Sequence, residues 1–329
     1  MSMPAIAKPV CPVCGTSCDG PPLHRYTVEQ AASHHCPSAR DADRHDRLVR
    51  CIRRLWNGDR IDIHKCGACT FGFAWPFIGG DAEFYGILHE MAGYPLQRWE
   101  FDETIEKVLG PLPPGRVIDI GAGEGAFLGK VPSTWDRWAV ETSPHLRGLL
   151  TARGIKVVDS AQQALSKGGA FDVATLFQVL EHVSQFREML GTCRDLLKIG
   201  GKLAISVPDG RMIDDLERIT GMSDMPPNHI NRWTGESLGR ALEQQGFVVS
   251  ERMLEPPSLR NATYYATLKV RAAAQNKPRS LSARSFGIKR RPLRIPVQAG
   301  LSGLALLTMA HHLPTLRQGQ AMLMISTRS

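Results

Sequence analysis

An apolar strand, a glycine-rich turn and the start of a helix follow one another at residues 117–128, Val-Ile-Asp-Ile-Gly-Ala-Gly-Glu-Gly-Ala-Phe-Leu. Gly121, Gly123 and Gly125 occupy the turn. A strand that passes through such a turn into a helix brings bare backbone close to a nucleotide-like ligand. The stretch therefore predicts an α/β domain with a ligand site at the end of this strand.

Two acidic residues lie near this turn. Asp119 is at the end of the strand, where a carboxylate can accept a hydrogen bond from an ammonium group or from turn amides. Glu141 ends the next apolar strand, where a ribose hydroxyl pair is held in such domains. Two ligand classes satisfy the pattern. A dinucleotide satisfies it because Gly121-x-Gly123-x-x-Ala126 fits the loose Rossmann fingerprint. S-adenosylmethionine satisfies it because Asp119 and the Gly-x-Gly-x-Gly spacing suit its methionine end.

Later segments carry further motifs that bear on this choice. They comprise a buried strand that runs into a Leu-Glu-His-Val elbow, a Gly-Gly turn before another apolar strand, and an Asn-His-Ile-Asn-Arg-Trp stretch before a helix and a Gln-Gly-Phe turn. These segments are residues 171–183, 200–208, 228–238 and 245–247. On these residues the chain, over about 84–250, resembles the class I S-adenosylmethionine-dependent methyltransferases.

The resemblance implies S-adenosylmethionine as the cofactor and a Rossmann-like α/β fold. Strands alternate with helices along the segment, which favours a mostly parallel sheet with helices on both faces. By resemblance, residues 321–326 form the last strand, inserted antiparallel.

The shape of this cofactor suggests a role for each candidate residue. Asp119 orients the glycine turn, the turn approaches the methionine end, and Glu141 takes the ribose hydroxyls. By resemblance, the pair after the third strand contacts the adenine edge, although Asp159 has the alternative role of a helix N-cap. The last two residues of the fourth strand wall the sulfonium. The expected cofactor-binding residues are Asp119, Gly121, Gly123, Gly125, Glu141, Asp159, Ser160, Phe177 and Gln178.

Two histidines are candidates for a catalytic base. A hydroxyl or amine acceptor must lose a proton during methyl transfer, and histidine is the usual base near neutral pH. His229 precedes a helix, and His182 lies in the elbow after the fourth strand. We favour His229 because the elbow of related sequences often serves structure. The alternative is that neither histidine acts.

Two C-x-x-C motifs near the N-terminus predict a metal site. Cys11, Cys14, Cys66 and Cys69 can hold one structural Zn²⁺ tetrahedrally, as in a zinc ribbon. Disulfides are the competing account, but we find no export signal that would favour them. We expect a zinc-ribbon-like domain at residues 1–80 and the methyltransferase domain at 81–329.

Other cysteines leave the metal count open. Cys18, Cys36 and Cys51, together with nearby histidines, could supply a second site or replace a ligand of the first. Buried or exposed residues without a metal are the commoner case.

Charge is unevenly distributed along the 329 residues. The chain carries 40 basic and 32 acidic residues, a net charge of +8. Residues 256–329 contain twelve Lys and Arg and no Asp or Glu, so residues 1–255 hold 28 basic and 32 acidic residues. This segregation indicates an anionic ligand or membrane surface, or a basic face that only aids solubility.

The insertion expected at about residues 256–320 has two parts. Its Pro and Arg content predicts a mobile or ligand-covering segment, and leucines between 301 and 313 predict a short apolar helix. That helix could pack on the domain, pair with another subunit or lie in a membrane interface.

Together these features predict a methyltransferase that acts on a small molecule, a sugar or glycan, or a lipid-linked acceptor. The alternatives are an RNA methyltransferase that uses the zinc ribbon and basic tail, and a non-catalytic binding protein that retains the fold. Nucleic acid is the less favoured partner because the N-terminal module is not strongly basic. We expect a cytoplasmic protein with peripheral membrane contact, and the sequence leaves its oligomeric state open.

Overall fold

The computed structural model describes residues 8–90, 97–221, 224–277, 279–288 and 290–329. The contacts of the chain divide it into two compact units. Unit 1 comprises residues 1–91, 209–232 and 256–320, and unit 2 comprises residues 92–208, 233–255 and 321–329.

The strands and helices are numbered in chain order. The strands are β1 (His24–Thr27), β2 (Arg60–Lys65), β3 (Gly72–Trp75), β4 (Arg116–Ile120), β5 (Asp136–Val140), β6 (Lys156–Val158), β7 (Phe171–Phe177), β8 (Leu197–Pro208), β9 (Asn231–Arg232), β10 (Phe247–Leu254) and β11 (Ala321–Arg328). The α-helices are α1 (Val28–His35), α2 (Ala42–Trp56), α3 (Ala82–His89), α4 (Trp99–Thr104), α5 (Ala126–Lys130), α6 (Pro144–Ala152), α7 (Ala161–Ser166), α8 (Phe186–Leu196), α9 (Gly210–Thr220), α10 (Gly235–Glu243), α11 (Leu259–Asn276), α12 (Leu281–Phe286), α13 (Arg291–Thr308) and α14 (Leu313–Leu316). A π-helical segment, Ile105–Leu109, continues α4, and 3-10 turns lie at Leu180–His182 and Ala310–His312.

Unit 2 is built on a sheet that, among the described residues, has seven strands in the order β10-β11-β8-β7-β4-β5-β6. Strands β4 to β8 of this sheet pair in parallel, and β11 pairs antiparallel with both β8 and β10. The central strands are continuous apolar runs, because helices cover parallel sheets on both faces; Val117, Ile118 and Val173 are fully buried. The predicted Rossmann-like methyltransferase fold, with an antiparallel last strand, is confirmed.

Unit 1 contains a second sheet, which has four strands in the order β1-β2-β3-β9 within the described ranges. All three pairings are antiparallel. Its core combines Leu48 and Ile52 of α2, Ile61 of β2 and Phe84 of α3 with Ile230, which directly precedes β9. The capping box of Thr27 and Gln30 begins α1, since each side chain accepts from the other residue's backbone N–H.

The contacts group the chain differently from the domain division expected at residue 80, which stays a prediction. Residues 209–232 join unit 1 because β9 pairs with β3. Residues 256–320 join it in part because Arg271 and Gln275 of α11 donate to the carbonyls of His34 and Ser33.

The Pro- and Arg-rich stretch before residue 301 is helical over most of its described residues, and its expected role as a mobile or ligand-covering segment stays a prediction. It forms α12 and α13, since Pro292 sits in the first turn of α13, where a proline is tolerated. Pro278 and Lys289 lie outside the described residues. Among the described residues no single helix is long and apolar enough to cross a membrane. In the part of the chain that the structure describes, α13 taken together with Ala310–Leu316, across a 71° bend, meets that length and composition.

Candidate functional site

The glycine turn after β4 has a backbone that only glycine adopts easily. Gly121, Gly123 and Gly125 have φ values of 77°, 55° and 76°. A Cβ atom on Gly121 would lie 2.7 Å from a methyl of Val179, and one on Gly125 would lie 2.4 Å from a methyl of Leu150. The turn is thus both left-handed and tightly packed from behind, which fixes its open backbone at the end of the sheet.

Glu141, directly after β5, ties this turn to the neighbouring strand. One carboxylate oxygen accepts the backbone N–H of Gly123 at 3.0 Å, and the other accepts the N–H of Ser143 at 2.8 Å. The side chain is nearly buried, at 9% exposure. A carboxylate held by two amides in this way is a fixed acceptor for paired hydroxyl groups.

Asp119 lies within β4 and bonds in a different direction from the expected one. Its carboxylate accepts the hydroxyl of Thr175 on β7 at 2.7 Å, whereas the carboxylate that contacts the turn is that of Glu141. Burial raises the pKa of Asp119 to about 7, against the lowering effect of the Thr175 hydrogen bond, and the charge of Glu141 adds to the rise. A cationic group near Asp119 would therefore be strongly favoured.

The pair that follows β6 has divided roles. Ser160 caps α7, since its hydroxyl accepts the N–H of Gln163 at 3.1 Å. Asp159 forms an ion pair with Arg147 and is not the cap of this helix. The alternative N-cap role of Asp159 is therefore wrong, because the helix begins one residue later.

Phe177 ends β7 and Gln178 follows it, and the two side chains have contrasting environments. Phe177 packs edge-on against Phe101 and Phe127, with ring centroids 5.0 and 4.9 Å apart. Gln178 has a left-handed φ of 57°, which is strained for a residue with a side chain, and its amide donates to the Ser206 hydroxyl at 3.3 Å. Phe177 thus belongs to the apolar core, while Gln178 is turned by its backbone.

The strand order brings most of these residues to one edge. β7, β4, β5 and β6 are consecutive neighbours and parallel, so their carboxyl ends lie side by side. Gln178, the glycine turn, Glu141 and Asp159 follow these strands in that spatial order. Ligands of open α/β sheets bind at this edge, next to the point where the strand order reverses.

The two candidate histidines lie in different units. His182 ends the 3-10 turn after β7 in unit 2, with its Nε2 3.8 Å from a carboxylate oxygen of buried Glu181. The buried Trp233 donates to the carbonyl of Leu180 at 3.4 Å and so supports this elbow. His229 lies in unit 1 and contacts Asp224, with Nδ1 2.7 Å from the carboxylate.

The contact with His229 changes the pKa of Asp224. Burial alone would raise the pKa of Asp224, but the charge and hydrogen bond of His229, together with Arg232, lower it to about 2. The carboxylate is therefore ionised near neutral pH and orients the imidazole through Nδ1.

The four predicted zinc ligands are close together in unit 1. The sulfurs of Cys11, Cys14, Cys66 and Cys69 all lie within 4.8 Å of one another, and the Cys11–Cys69 and Cys14–Cys66 pairs are 3.5 Å apart. Each C-x-x-C forms a turn closed by backbone hydrogen bonds, from Gly15 to Cys11 and from Thr70 to Cys66. Two such turns facing each other match the donor set of a structural zinc site.

The three remaining N-terminal cysteines lie outside this cluster of described sulfurs. Cys18 donates to the carbonyl of Thr16 at 3.7 Å, and Cys36 is near the carbonyl of Asp41 at 3.7 Å. Cys51 lies near Asp81 and Glu83, where Arg54 binds both carboxylates.

Sequence reasoning missed several buried polar groups that shape the sites. Glu100 of α4 is 1% exposed and accepts the Ser206 hydroxyl at 3.1 Å, and its burial raises its pKa. Thr175 and Asp224 fix Asp119 and His229. Their only signal in the sequence is their position beside predicted strand ends and motif residues.

Arg232 of β9 and Glu217 of α9 form a buried bidentate pair that sequence reasoning also missed. Both distances are 2.8 Å, and the two side chains are 3% and 5% exposed. Glu217 also accepts from His24 at 2.9 Å and from Tyr26 at 3.2 Å. The pair therefore joins β1, α9 and β9 within unit 1.

Parts of this chain are similar in sequence to known proteins. Residues 96–251, just under half of the chain, match the family model described as a methyltransferase domain. A ubiquinone biosynthesis O-methyltransferase of Xanthomonas axonopodis pv. citri is 31% identical over 113 residues, 31% of this chain and 47% of that protein. An uncharacterized protein of Methanocaldococcus jannaschii is 29% identical over 110 residues, 33% of this chain and 52% of that protein. The chain spans about half the length of the curated relatives it matches.

Solved structures with similar folds have low sequence identity. The [4+2]-cyclase SpnF, at 17% identity and a TM-score of 0.43, aligns over 88% of this chain and 96% of its own. A SAM-dependent methyltransferase of Archaeoglobus fulgidus, at 17% identity and a TM-score of 0.44, aligns over 69% and 92%. The strand order of unit 2 and the match over residues 96–251 support an S-adenosylmethionine-dependent methyltransferase domain in this chain.

Proposed function

We propose that this protein transfers the methyl group of S-adenosylmethionine to a hydroxyl-bearing small molecule, glycan or lipid-linked acceptor. The observation that carries the proposal is the carboxylate of Glu141, held by the amides of Gly123 and Ser143 beside the left-handed glycine turn. This arrangement suits a ribose next to a close backbone approach. The Xanthomonas relatives are named O-methyltransferases, which supports an oxygen acceptor.

The residues at the sheet edge fit the parts of this cofactor. Glu141 would hold the ribose hydroxyls, and the open turn at Gly121 and Gly123 would approach the methionine end. Asp119, whose ionised form is disfavoured by burial, would gain from the cationic ammonium of that end. When bound, the cofactor supplies a methyl group on a sulfonium, which is an electrophile. Gln178, turned by its left-handed backbone, would wall the site of transfer.

His229 is the residue that we propose as the base. Its Nδ1 lies 2.7 Å from the carboxylate of Asp224, whose pKa is lowered to about 2, and an imidazole beside an ionised carboxylate is suited to take a hydroxyl proton. A carboxylate that orients an imidazole also stabilises the imidazolium that forms. The acceptor oxygen, once His229 had taken its proton, would be the nucleophile toward the methyl group that the cofactor would supply, and the carbon–sulfur bonding pair would stay on the cofactor's sulfur.

The cysteine cluster of unit 1 is proposed to hold one structural Zn²⁺. Four cysteine sulfurs within 4.8 Å of one another would supply all four ligands of a structural zinc ion, which would leave no position for a reacting water. The ion would link two turns that are more than fifty residues apart in the chain. Its role is therefore to stabilise the fold of this part of unit 1.

Two measurements on the full chain test the proposed function. Calorimetry with S-adenosylmethionine and with NADH tests the cofactor, and binding of NADH alone would overturn the proposal. Transfer of labelled methyl from S-adenosylmethionine into fractions of a cell extract, resolved by mass spectrometry, identifies the acceptor class. Label in RNA and in no small molecule or lipid would favour the RNA alternative.

The base is tested separately by His229→Asn. We expect methyl transfer to fall by about 10²–10⁴-fold with cofactor binding unchanged. His311→Asn, which changes an exposed histidine, is the matched control. Two outcomes would exclude His229 as the base. One is unchanged methyl transfer in His229→Asn, and the other is a fall of the expected size in His182→Asn that His229→Asn does not show.

A further inference from the structure

Helix α13 presents an apolar stripe to solvent. Leu293, Val297, Leu304 and Leu307 are 59%, 44%, 59% and 74% exposed. Their spacing of four, seven and three residues places them on one face of a helix. None of the side chains of this helix, all of whose residues are described, is buried. A stripe of four large exposed apolar side chains is unusual for a surface that faces water alone.

The opposite face of α13 already has a partner within unit 1. Leu306 and Ala305 pack against the core cluster of Tyr265 and Ala266 from α11. Beside this contact, Ile295 and Gly303 of α13 line an apolar cavity of about 510 Å³ shared with α11 and α12. The face of α13 that packs on α11 is therefore occupied, and the apolar stripe is a different face of the same helix.

Cations surround the N-terminal end of this stripe. Arg284, Arg290 and Arg291 are exposed, and Arg294 is half-buried. No salt bridge engages these four side chains among the described residues, and residues 256–329 contain no acidic residue. Unneutralised arginines beside an apolar stripe match a surface that is both anionic and apolar, as the boundary of a charged lipid bilayer is.

We propose that the outer face of α13, with Arg284, Arg290, Arg291 and Arg294, docks on an anionic lipid membrane. Leu304 and Leu307 enter the boundary between headgroups and acyl chains, while the arginines bind lipid phosphates. The helix lies in the plane of the interface. This inference does not depend on the proposed methyltransferase activity.

Vesicle co-sedimentation of the full chain tests the docking surface. Vesicles of phosphatidylcholine alone are compared with vesicles that also contain phosphatidylglycerol, at low and high salt. We expect the wild type to bind the anionic vesicles, and salt to weaken this binding. Binding to neither vesicle, or equal binding to both at all salt concentrations, would overturn the proposal.

Two multiple variants separate the charged from the apolar contribution. Arg290→Ser/Arg291→Ser/Arg294→Ser should bind anionic vesicles about a hundredfold more weakly, at about fivefold per cation. Leu304→Ser/Leu307→Ser should bind about tenfold more weakly, because two apolar side chains no longer leave water. The matched controls are Arg50→Ser/Arg60→Ser and Ile199→Ser, which change exposed residues elsewhere and should bind like the wild type.

Wild-type binding by the leucine variant would overturn membrane insertion. A wild-type dimer in sedimentation that the leucine variant dissociates would also overturn it, since the stripe would then be a subunit contact. Leu307→Trp gives a readout that keeps the apolar surface. Brominated lipids in anionic vesicles should quench the fluorescence that this substitution adds, and absence of quenching would contradict the proposal.

Discussion

The carboxylate of Glu141 accepts the backbone N–H of Gly123 at 3.0 Å, across two adjacent parallel strands. The contact links the residue expected to bind ribose with the turn expected to approach methionine. One hydrogen bond therefore positions both the carboxylate expected to bind ribose and the turn expected to approach methionine. Any change to Glu141 should alter both the charge of the site and the shape of the turn.

We expect Glu141→Ala to weaken binding of S-adenosylmethionine by about 1–3 kcal/mol, because the ribose hydroxyls lose a charged acceptor. Isothermal titration calorimetry measures the change. Glu106→Ala, which alters an exposed carboxylate on the same unit, should bind like the wild type. Equal affinities of wild type and Glu141→Ala would remove Glu141 from the cofactor site.

Asp119→Asn should change how the free energy of unfolding depends on pH. Burial raises the pKa of Asp119 from 3.8 to about 7, so the folded chain holds this proton more tightly than the unfolded chain does. Stability contributed by this group is present below the unfolded value and is lost as pH rises from 3.8 to about 7. The variant should therefore lack this loss and gain roughly 2–4 kcal/mol relative to wild type between acid and pH 8.

Urea unfolding across this pH range measures the effect in the absence of cofactor. Asp136→Asn is the matched control of opposite sign, since hydrogen bonds from Lys156 and Trp138 outweigh burial and lower the pKa of Asp136. The wild type loses the stability contributed by ionised Asp136 as pH falls, and Asp136→Asn should lack this contribution. Parallel pH profiles for Asp119→Asn and wild type would show that Asp119 is not desolvated.

Glu217→Gln should destabilise unit 1 by about 3–5 kcal/mol, because Arg232 would remain buried without its full counter-charge. Burial tends to raise the pKa of Glu217, but His24 and Arg232 outweigh it and lower the pKa. This contribution to stability is present above the unfolded pKa and is lost as pH falls through the folded one.

Thermal unfolding monitored by circular dichroism tests the pair. Asp215→Asn, which breaks an exposed pair with Arg218, should change stability by less than about 1 kcal/mol. Glu217→Leu combined with Arg232→Met should recover much of the loss, since it removes both charges. A double variant no more stable than Glu217→Gln would mean that packing, and not charge, explains the effect.

Elemental analysis should find about one Zn²⁺ per chain, and Cys66→Ser should lose most of it, because one of four thiolates is missing. Cys36→Ser, outside the cluster, is the control and should retain the metal. The loss should lower the stability of the N-terminal part and leave cofactor affinity unchanged. Full zinc retention in Cys66→Ser would exclude this thiol as a ligand.

The parts of the fold that the sequence predicted are those with local signals. The strand β4 was predictable because an apolar run directly precedes the glycine turn. The glycine turn and Glu141 were predictable for the same reason. Cys11, Cys14, Cys66 and Cys69 were predictable because paired C-x-x-C motifs have few other uses.

The parts that were not predicted depend on contacts between distant positions. Tyr26 meets Glu217 across 191 residues, and β9 is a strand of only two residues, too short to show alternation. Arg232 reads as one more polar residue in a polar motif until the fold buries it. The helical state of residues 291–300 was not predicted from the sequence, and α13 contains two prolines in this part, one of them in its first turn.

β9 is the last strand to be synthesised in its sheet, some 155 residues after its partner β3. The four-stranded sheet is therefore incomplete until the ribosome has also made β4, the glycine turn and the 3-10 turn at Leu180–His182, which lie between β3 and β9 in the chain. A fragment that ends at residue 80 would carry the four cysteines and yet leave one edge of β3 bare, together with the apolar surface that Ile230 covers. Truncation studies of the cysteine cluster should accordingly keep the chain at least as far as β9.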